Sequence, residues 1–199
     1  MPTNDNVRIA PADGKLGILI PGIGAVSTTF MAGVEAVKRG LGHPVGSLTQ
    51  LSTIRLGKRT DNRTPRIKDF VPLAGLDDLV FGGWDIYEDS AYDAAANAAV
   101  LDKNLLEKVR QPLEAIKPMK AVFDSNYVRR INGPNIKEGG SKMDKAEMLM
   151  EDIRNFRESS GASRLVMIWC GSTEVFHKPE AVHQTLQDFE CGLQKNDPN

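Results

Sequence analysis

Two glycines near the N-terminus carry the first chemical signal of this chain. Gly22 and Gly24 follow the apolar run at residues 16–20 and precede a helical pattern that runs from Phe30 to Lys38. Glycine lets the backbone turn sharply and approach a phosphate, and the free N–H groups at a helix start then point at the anion. Ser27 stands where a G-x-G-x-x-G motif has its third glycine. The stretch therefore indicates either a dinucleotide pyrophosphate site or an ordinary strand-to-helix turn without a ligand.

An aspartate offers a second polar group at the end of a predicted strand. Asp85 follows the predicted strand at residues 78–81 and the pair Gly82 and Gly83, which allow close backbone approach. An ionised carboxylate only accepts hydrogen bonds, so Asp85 can receive both hydroxyls of a ribose. A ribose-binding acid is expected about 20 residues after the glycine loop, where residues 46–50 contain none. Asp85 is thus either a ribose ligand in a variant geometry or a turn or capping aspartate.

The other reactive residue types lack the spacing of a catalytic or metal site. The two cysteines, Cys170 and Cys191, are expected to be reduced thiols, with Cys170 acting as a small buried hydrophobe. His43, His177 and His183 are scattered and are expected at the surface. A basic run could meet a phosphate, although most such runs are solvated faces. Its six cations are Arg55, Lys58, Arg59, Arg63, Arg66 and Lys68.

Composition limits the function classes. The 199 residues are 41% hydrophobic and 26% charged, which is typical of a globular protein of one domain, with or without an extension. A formal net charge of −1 argues against nucleic-acid binding, which needs a basic surplus. No apolar stretch approaches the about 20 residues of a membrane span, and the polar N-terminus lacks a signal-peptide core. We expect a cytoplasmic protein.

Predicted strands and helices alternate along the chain, and they would position these residues. Apolar runs predict strands at residues 16–20, 78–81, 120–124 and 165–169. Helical periodicity and capping signals predict helices at residues 28–39, 90–108, 144–158 and 179–193. Residues 1–14 read as a flexible N-terminus and residues 132–142 as a loop. The alternation predicts an α/β fold, a Rossmann-type parallel sheet with helices on both faces. A full sheet of this type has about six strands, so either the sheet is small or the chain is part of a longer protein.

Several segments, taken in order, resemble the inositol-phosphate synthase family. They are residues 46–57 (GSLTQLSTIRLG), residues 77–86 (DDLVFGGWDI), Val100 to Asp102 followed by Leu105, and residues 169–174 before a helix. The resemblance runs from about Leu16 to the last residue. It implies an NAD-binding domain at residues 15–199 of an enzyme of inositol and phospholipid biosynthesis. That family converts D-glucose 6-phosphate to 1L-myo-inositol 1-phosphate without net redox change.

The resemblance also implies which residues of this chain meet the cofactor. The glycine loop here departs from the Gly-Gly-Asn-Asn version that is commoner in the family, so the side-chain amide contacts made there are not expected. Asp85 matches the ribose-binding aspartate. Asn132 and Cys170 align with weaker cofactor-lining positions. The cofactor-binding residues implied by the resemblance are Gly22, Gly24, Ala25, Val26, Ser27, Asp85, Ala121, Gly171, Ser172 and Thr173.

The family's remaining machinery is expected outside this chain. Its members are longer and form tetramers through a catalytic region, and the lysines that hold the phosphate and stabilise the enolate lie beyond Asn199. We therefore expect an N-terminal portion that carries the NAD site and is inactive by itself, and no catalytic residue is nominated. Two alternatives stay open: an NAD-dependent sugar-phosphate dehydrogenase, which would release NADH, and a dinucleotide-binding module without chemistry.

Overall fold

Four parallel strands form the centre of the molecule. The structure, a computed structural model, describes residues 11–171 and 176–198. The strands are β1 (Lys15–Pro21), β2 (Leu79–Asp85), β3 (Met119–Lys120) and β4 (Ala162–Met167), in the spatial order β3-β2-β1-β4. The chain thus adds strands on one side of β1 and then returns to its other side at β4. Such a reversal of strand order is where open α/β sheets bind ligands, outside the carboxyl ends of the strands.

Helices cover both faces of the sheet, as the sequence predicts. In chain order they are α1 (Ala25–Lys38), α2 (Leu48–Leu51), α3 (Ile67–Phe70), α4 (Ala91–Ala98), α5 (Lys103–Lys108), α6 (Arg110–Glu114), α7 (Lys142–Ser160) and α8 (Leu186–Lys195). Helices α1, α4, α5 and α6 share one core with β1, whereas α7 packs against the opposite face. None of the helices in the described part of the chain combines the length and the apolar character that crossing a membrane would require.

The alternation of β1 side chains builds two cores. Ile18 and Ile20 face the α1 side, where they pack with Met31 of α1. Leu19 points the other way and packs with Trp84 and with the α7 side chains that meet it. Leu19, Ile20 and Met31 are at most 1% exposed, and fully burying such a side chain contributes about 1.5–3 kcal/mol. Apolar burial on both faces therefore explains why residues 16–20 form a central strand.

The glycine pair of β2 serves packing between elements. A Cβ on Gly82 would lie 2.5 Å from the Phe156 ring of α7, and one on Gly83 would overlap the Ile20 carbonyl oxygen. Strand β2 continues to Asp85, beyond the predicted end at residue 81. The close approach that the glycine pair allows is therefore made by the protein itself, because the Ile20 backbone and the Phe156 ring fill the space beside Gly83 and Gly82.

Two predicted helices are shorter than expected. The helix predicted at residues 90–108 ends at Ala98, because Ala99 adopts the left-handed conformation (φ 52°), and a new helix starts after Asp102, which accepts a hydrogen bond from the Leu105 N–H. The helix predicted at residues 179–193 begins only at Leu186, after a separate 3-10 turn. By contrast, the helix predicted at residues 144–158 is present over its whole length: α7 follows its N-cap Ser141, and the left-handed Gly161 comes directly after its last residue.

Strand β3 is reduced to two residues instead of the five predicted at 120–124. The Ala121 N–H donates to the Asn135 carbonyl oxygen at 3.0 Å, and the Lys137 N–H donates to the Ala121 carbonyl oxygen at 2.8 Å. Both backbone groups of Ala121 are thus satisfied by the loop at 133–137 and not by β2. This loop therefore takes over the sheet edge at the point where the sequence predicts that the strand continues.

Candidate functional site

A cleft of about 1030 Å³ opens at the carboxyl ends of the strands, where the strand order reverses. Five of the predicted site residues line it together: Gly22, Gly24, Asp85, Ala121 and Gly171. They come from the ends of all four strands, which are separate in sequence and adjacent in the sheet. Ser172 and Thr173, also predicted to bind the cofactor, lie outside the described residues.

Gly22 makes the tight turn that closes the end of β1. Its φ is +90°, a conformation that favours glycine. Its N–H donates to the Trp84 carbonyl oxygen at 2.9 Å, and a Cβ there would lie 3.0 Å from the Cys170 carbonyl oxygen and the Gly171 nitrogen. The turn is therefore wedged between the end of β2 and the segment after β4. This position needs glycine for both its conformation and its close packing.

Gly24 and the start of α1 form an open surface with exposed backbone. Gly24 is the N-cap of α1, no side chain caps the helix, and the first turn contains no acidic residue. A Cβ on Gly24 would meet no heavy atom within 4 Å, and the next two residues, Ala25 and Val26, are exposed. The first N–H groups of a helix have no partner within the helix and carry the positive end of its dipole. The arrangement suits an anion such as a pyrophosphate.

Ser27 stabilises the loop from within. It is fully buried, and its hydroxyl lies 2.9 Å from the Gly22 carbonyl oxygen and 3.0 Å from that of Gly24. The neighbouring Thr28 hydroxyl donates to the Gly24 carbonyl oxygen at 2.9 Å. The side chain that replaces the third glycine of the motif thus holds the loop carbonyls, so that the loop N–H groups remain directed outward.

Asp85 joins the glycine loop to the end of β2. Its Oδ2 accepts the Ile23 N–H at 2.7 Å and its Oδ1 accepts the Tyr87 N–H at 3.1 Å. A carboxylate offers about four acceptor positions, so each oxygen keeps capacity for one further donor. Asp85 is half-buried and lines the cleft. Of the two roles that the sequence left as alternatives, the structure shows the turn role directly. The ribose role stays a prediction, and Asp85 lines the cleft in which it would act.

Asn135 is the residue of this region that the sequence analysis missed. It is 5% exposed, and its side-chain amide donates to the Asp85 carbonyl oxygen at 2.9 Å and to that of Met119 at 3.2 Å. The residue named from the sequence in this loop, Asn132, is exposed. The sequence holds no signal for Asn135, because its partners belong to strands that only the folded sheet brings together.

Helix α4 borders the cleft and begins with a buried cap. The Ser90 hydroxyl lies 2.5 Å from an Asp93 carboxylate oxygen, and the Asp93 N–H donates back to Ser90 Oγ at 3.1 Å. The hydrogen bond from the Ser90 side chain holds the pKa of Asp93 below its ordinary value of 3.8, with a smaller contribution from the Ser90 backbone N–H. Ala94 of the same helix lines the cleft, so this cap stabilises part of the cleft wall.

The charges around the cleft are all negative among the described residues. The ionisable acids that line it are Asp85, Asp89 and Asp124, and none of the described lining residues is a lysine, arginine or histidine. The basic run at residues 55–68 and the three histidines stand away from this lining. Within the described parts of the chain, no group of three or more His, Cys, Asp and Glu side chains is placed to hold a metal ion. The start of α1 is the positive end that the described lining offers to an anion.

Comparisons with known proteins agree with this geometry. An NAD-binding family model described as "Myo-inositol-1-phosphate synthase" matches residues 16–199. "Inositol-3-phosphate synthase 1" of Bacteroides thetaiotaomicron is 44% identical over 190 residues, which cover 95% of this chain and 44% of that protein. The rice protein of the same name (Oryza sativa subsp. japonica) is 32% identical, over 92% of this chain and 39% of that protein.

A solved structure has the same fold. The crystal structure of inositol-3-phosphate synthase from Caenorhabditis elegans superposes with a TM-score of 0.81 at 25% identity, and the match covers 92% of this chain and 40% of that one. The chain thus spans less than half the length of the curated relatives it matches. The family model covers nearly all of the chain, and its NAD-binding assignment agrees with a cleft built on the glycine loop. We conclude that the chain belongs to the myo-inositol-1-phosphate synthase family, in which it corresponds to the NAD-binding domain.

Proposed function

We propose that this chain supplies the NAD-binding part of an enzyme that converts D-glucose 6-phosphate to 1L-myo-inositol 1-phosphate. The observation that carries the proposal is the position of the uncapped α1 start, which lies beside Asp85 at the point where the strand order reverses. Family membership adds the reaction. With it we propose the family's tetramer for the full-length enzyme, a cytoplasmic location, and a domain that begins at residue 15.

The glycine loop would hold the pyrophosphate. Gly24, Ala25 and Val26 present backbone N–H groups at the start of α1, and no acidic side chain of the first turn competes for them. Gly22 and Ser27 shape the loop behind these groups. The open space in front of Gly24 is the volume that a Cβ would otherwise enter. The residues present therefore fit a dinucleotide pyrophosphate.

Asp85 would receive the hydroxyls of the adenosine ribose. Its two oxygens each keep an acceptor position after their bonds to the Ile23 and Tyr87 N–H groups. A 2′-phosphate at this place would meet the carboxylate, and no described lysine or arginine of the lining offsets the repulsion. The cleft is therefore suited to NAD in preference to NADP. Ala121 and Gly171 line the same cleft, where small residues leave room for the cofactor.

The chemical steps require groups beyond the cofactor site. When bound in this cleft, NAD would supply reversible hydride transfer, so that the conversion would have no net redox change. The chain's own residues bind and orient the cofactor, whereas a sugar phosphate and a developing enolate need cationic donors close by. The described lining of the cleft contains none. We therefore propose that the cations act from the region that the longer relatives possess.

Calorimetric titration of the chain with NAD, combined with an NADH absorbance assay in the presence of glucose 6-phosphate, tests the proposal. We expect a binding isotherm for NAD and no accumulation of NADH. Net NADH production would favour a sugar-phosphate dehydrogenase. Absence of NAD binding to the folded chain would contradict the proposal.

A further inference from the structure

We infer that Asn135 is a positioning residue for the cofactor site: it fixes the turn that presents Asp85 to the adenosine ribose. The inference rests on the proposed NAD site and adds a residue that does not itself line the cleft. It predicts that ribose recognition depends on a buried amide that acts through the backbone of Asp85.

Asn135 contacts three consecutive carbonyl groups at the end of β2 and just after it. Its side-chain Nδ2 donates to the Asp85 carbonyl oxygen at 2.9 Å and lies 3.5 Å from that of Tyr87. Its backbone N–H donates to the carbonyl oxygen of the residue between them, Ile86, at 2.9 Å. One residue therefore holds the whole segment from Asp85 to Tyr87, which no helix or strand ladder holds beyond Asp85.

The same residue ties this segment to β3. Nδ2 also donates to the Met119 carbonyl oxygen at 3.2 Å, and the Asn135 carbonyl oxygen accepts the Ala121 N–H at 3.0 Å. Gly133 packs so closely that a Cβ there would overlap the Ile86 carbonyl oxygen. The loop is thus fitted against the turn, and a small displacement of Asn135 changes the path of residues 85–87.

The position of the Asp85 carboxylate depends on the path of residues 85–87, because the carboxylate accepts a hydrogen bond from the same turn. Its Oδ1 accepts the Tyr87 N–H, so a shift of Tyr87 moves the carboxylate as well as the main chain. Recognition groups must be held within about 0.5 Å of their productive position by the residues around them. Loss of the Asn135 amide should therefore cost ribose recognition more than it costs contact with the pyrophosphate, which rests on α1.

The test compares NAD with its analogue that lacks the 2′-hydroxyl of the adenosine ribose. Dissociation constants of both are measured by calorimetry for the unmodified chain, Asn135→Ala and Asn135→Ser. Asn155→Ala is the control, because Asn155 is exposed on α7 and does not line the cleft. For the unmodified chain and the control we expect the analogue to bind about tenfold more weakly, or worse, the scale of a hydrogen bond to a charged group. For the Asn135 variants we expect that ratio to fall to about twofold or less.

Each outcome of this experiment supports or overturns the role of Asn135. Retention of the full ratio in a folded Asn135 variant overturns the inference and leaves the proposed NAD site standing. Loss of the cooperative thermal transition in both variants also overturns it, because Asn135 would then serve folding as a whole. No NAD binding to the unmodified chain overturns the proposed function and this inference together. If the unmodified chain binds NAD but does not discriminate against the analogue, Asp85 is not the ribose ligand, and this inference alone is overturned.

Discussion

At the scale of single residues, the Asp85 carboxylate connects the glycine loop with the segment after β2. Asp85 accepts N–H groups from Ile23 in the glycine loop and from Tyr87 after β2. Hydrogen bonds to charged groups contribute about 1.5–3 kcal/mol each in favourable cases. Asp85 therefore stabilises the geometry of the site before any ligand arrives, and a ligand hydroxyl would bind to a group that is already fixed.

Asp85→Asn should weaken NAD binding by roughly 1–3 kcal/mol, because an amide replaces one charged acceptor and offers a donor in its place. Calorimetric titration measures the change, and the unmodified chain should bind NAD more tightly than NADP. Glu88→Gln removes an exposed charge nearby and should leave the affinity unchanged. An unchanged affinity in Asp85→Asn, or tighter binding of NADP by the unmodified chain, would remove Asp85 from the ribose site.

The two glycines of the loop after β1 should respond differently to alanine. Gly22→Ala places a Cβ at φ +90° and 3.0 Å from the backbone of Cys170 and Gly171, so we expect a loss of unfolding free energy of about 1–3 kcal/mol. Gly24 has an extended conformation (φ −102°) and open space around it. Gly24→Ala should keep its stability and weaken NAD binding about tenfold or more, because the methyl group enters the pyrophosphate space.

Chemical denaturation and NAD titration of both variants separate these effects. Gly33→Ala is the control, because Gly33 lies inside α1 and a Cβ added there would meet no heavy atom within 4 Å. This substitution should raise stability slightly. Equal stability of Gly22→Ala and the unmodified chain would show that the turn at β1 tolerates a side chain. Unchanged NAD affinity in Gly24→Ala would place the pyrophosphate elsewhere.

The sequence reveals some residues of the site and not others, for a physical reason. Gly22, Gly24 and Asp85 stand directly at or after apolar strands, so local order predicts that they meet at the sheet edge. Asn135 acts on carbonyl groups of Asp85 and Met119, 50 and 16 residues away. The family resemblance predicts a cofactor contact for Ser27, whose hydroxyl contacts loop carbonyls in the structure. Such contacts depend on tertiary packing, which no local pattern encodes.

The ends of some helices and strands are set by neighbouring residues, and the ends of others are set by tertiary contacts. Helix α7 is predictable at both ends because Ser141 with Asp144 and the left-handed Gly161 are local signals. The break at Ala99 is not predictable, because alanine favours helix and seldom adopts a positive φ. Strand β3 ends early because the loop at 133–137 takes the hydrogen bonds of Ala121. Elements are therefore predictable where their ends are encoded by adjacent residues.

The capping box of α4 should make part of the stability pH-dependent. The pKa of Asp93 is lowered in the folded chain, chiefly by the Ser90 hydroxyl. The ionised Asp93 carboxylate therefore stabilises the fold fully above its ordinary pKa of 3.8, and this stabilisation is lost as the pH falls through the lower pKa of the folded chain. Urea unfolding across acidic pH should show this loss in the unmodified chain. Asp93→Asn should lack that part of the pH dependence.

Ser90→Ala provides a second, matched change. It removes the buried partner of Asp93 and should cost about 1 kcal/mol at neutral pH, the usual value of an N-cap side chain. Its acid dependence should then resemble that of Asp93→Asn. If either variant kept the full acid dependence of the unmodified chain, the shifted pKa of Asp93 would have another cause.

The sheet as a whole leaves one edge strand uncovered. Strand β4 is this edge strand, because it pairs only with β1 among the described strands. Val166 of β4 and Ile168 just after it lie on the face opposite α7, and they are 41% and 38% exposed. An exposed apolar edge strand favours association with other chains. We expect concentration-dependent self-association, measured by light scattering. Val166→Lys should reduce it, whereas Val100→Lys, which adds the same charge after α4, should not. Equal scattering from both variants would exclude the β4 edge as the cause.

At the scale of the whole molecule, we expect that the 199-residue chain alone does not make inositol phosphate from glucose 6-phosphate. The described lining of the cleft supplies the groups that we propose for the cofactor: a glycine loop, an uncapped helix start and Asp85. It lacks described cations for the sugar phosphate and for the enolate, and its three acids repel both. Losing even one oxyanion donor can cost about 10²–10³ in rate, so losing the whole set should leave cofactor binding alone.

The measurement is incubation of purified chain with glucose 6-phosphate and NAD, followed by phosphatase treatment and chromatography for myo-inositol. NAD titration of the same preparation is the control, because it establishes that the cleft is folded and competent. We expect binding without product. Turnover of about one per second or faster, within the ordinary range of enzymes, would require cations that approach the cleft from within these 199 residues. It would then contradict the assignment of catalysis to the region that the longer relatives possess.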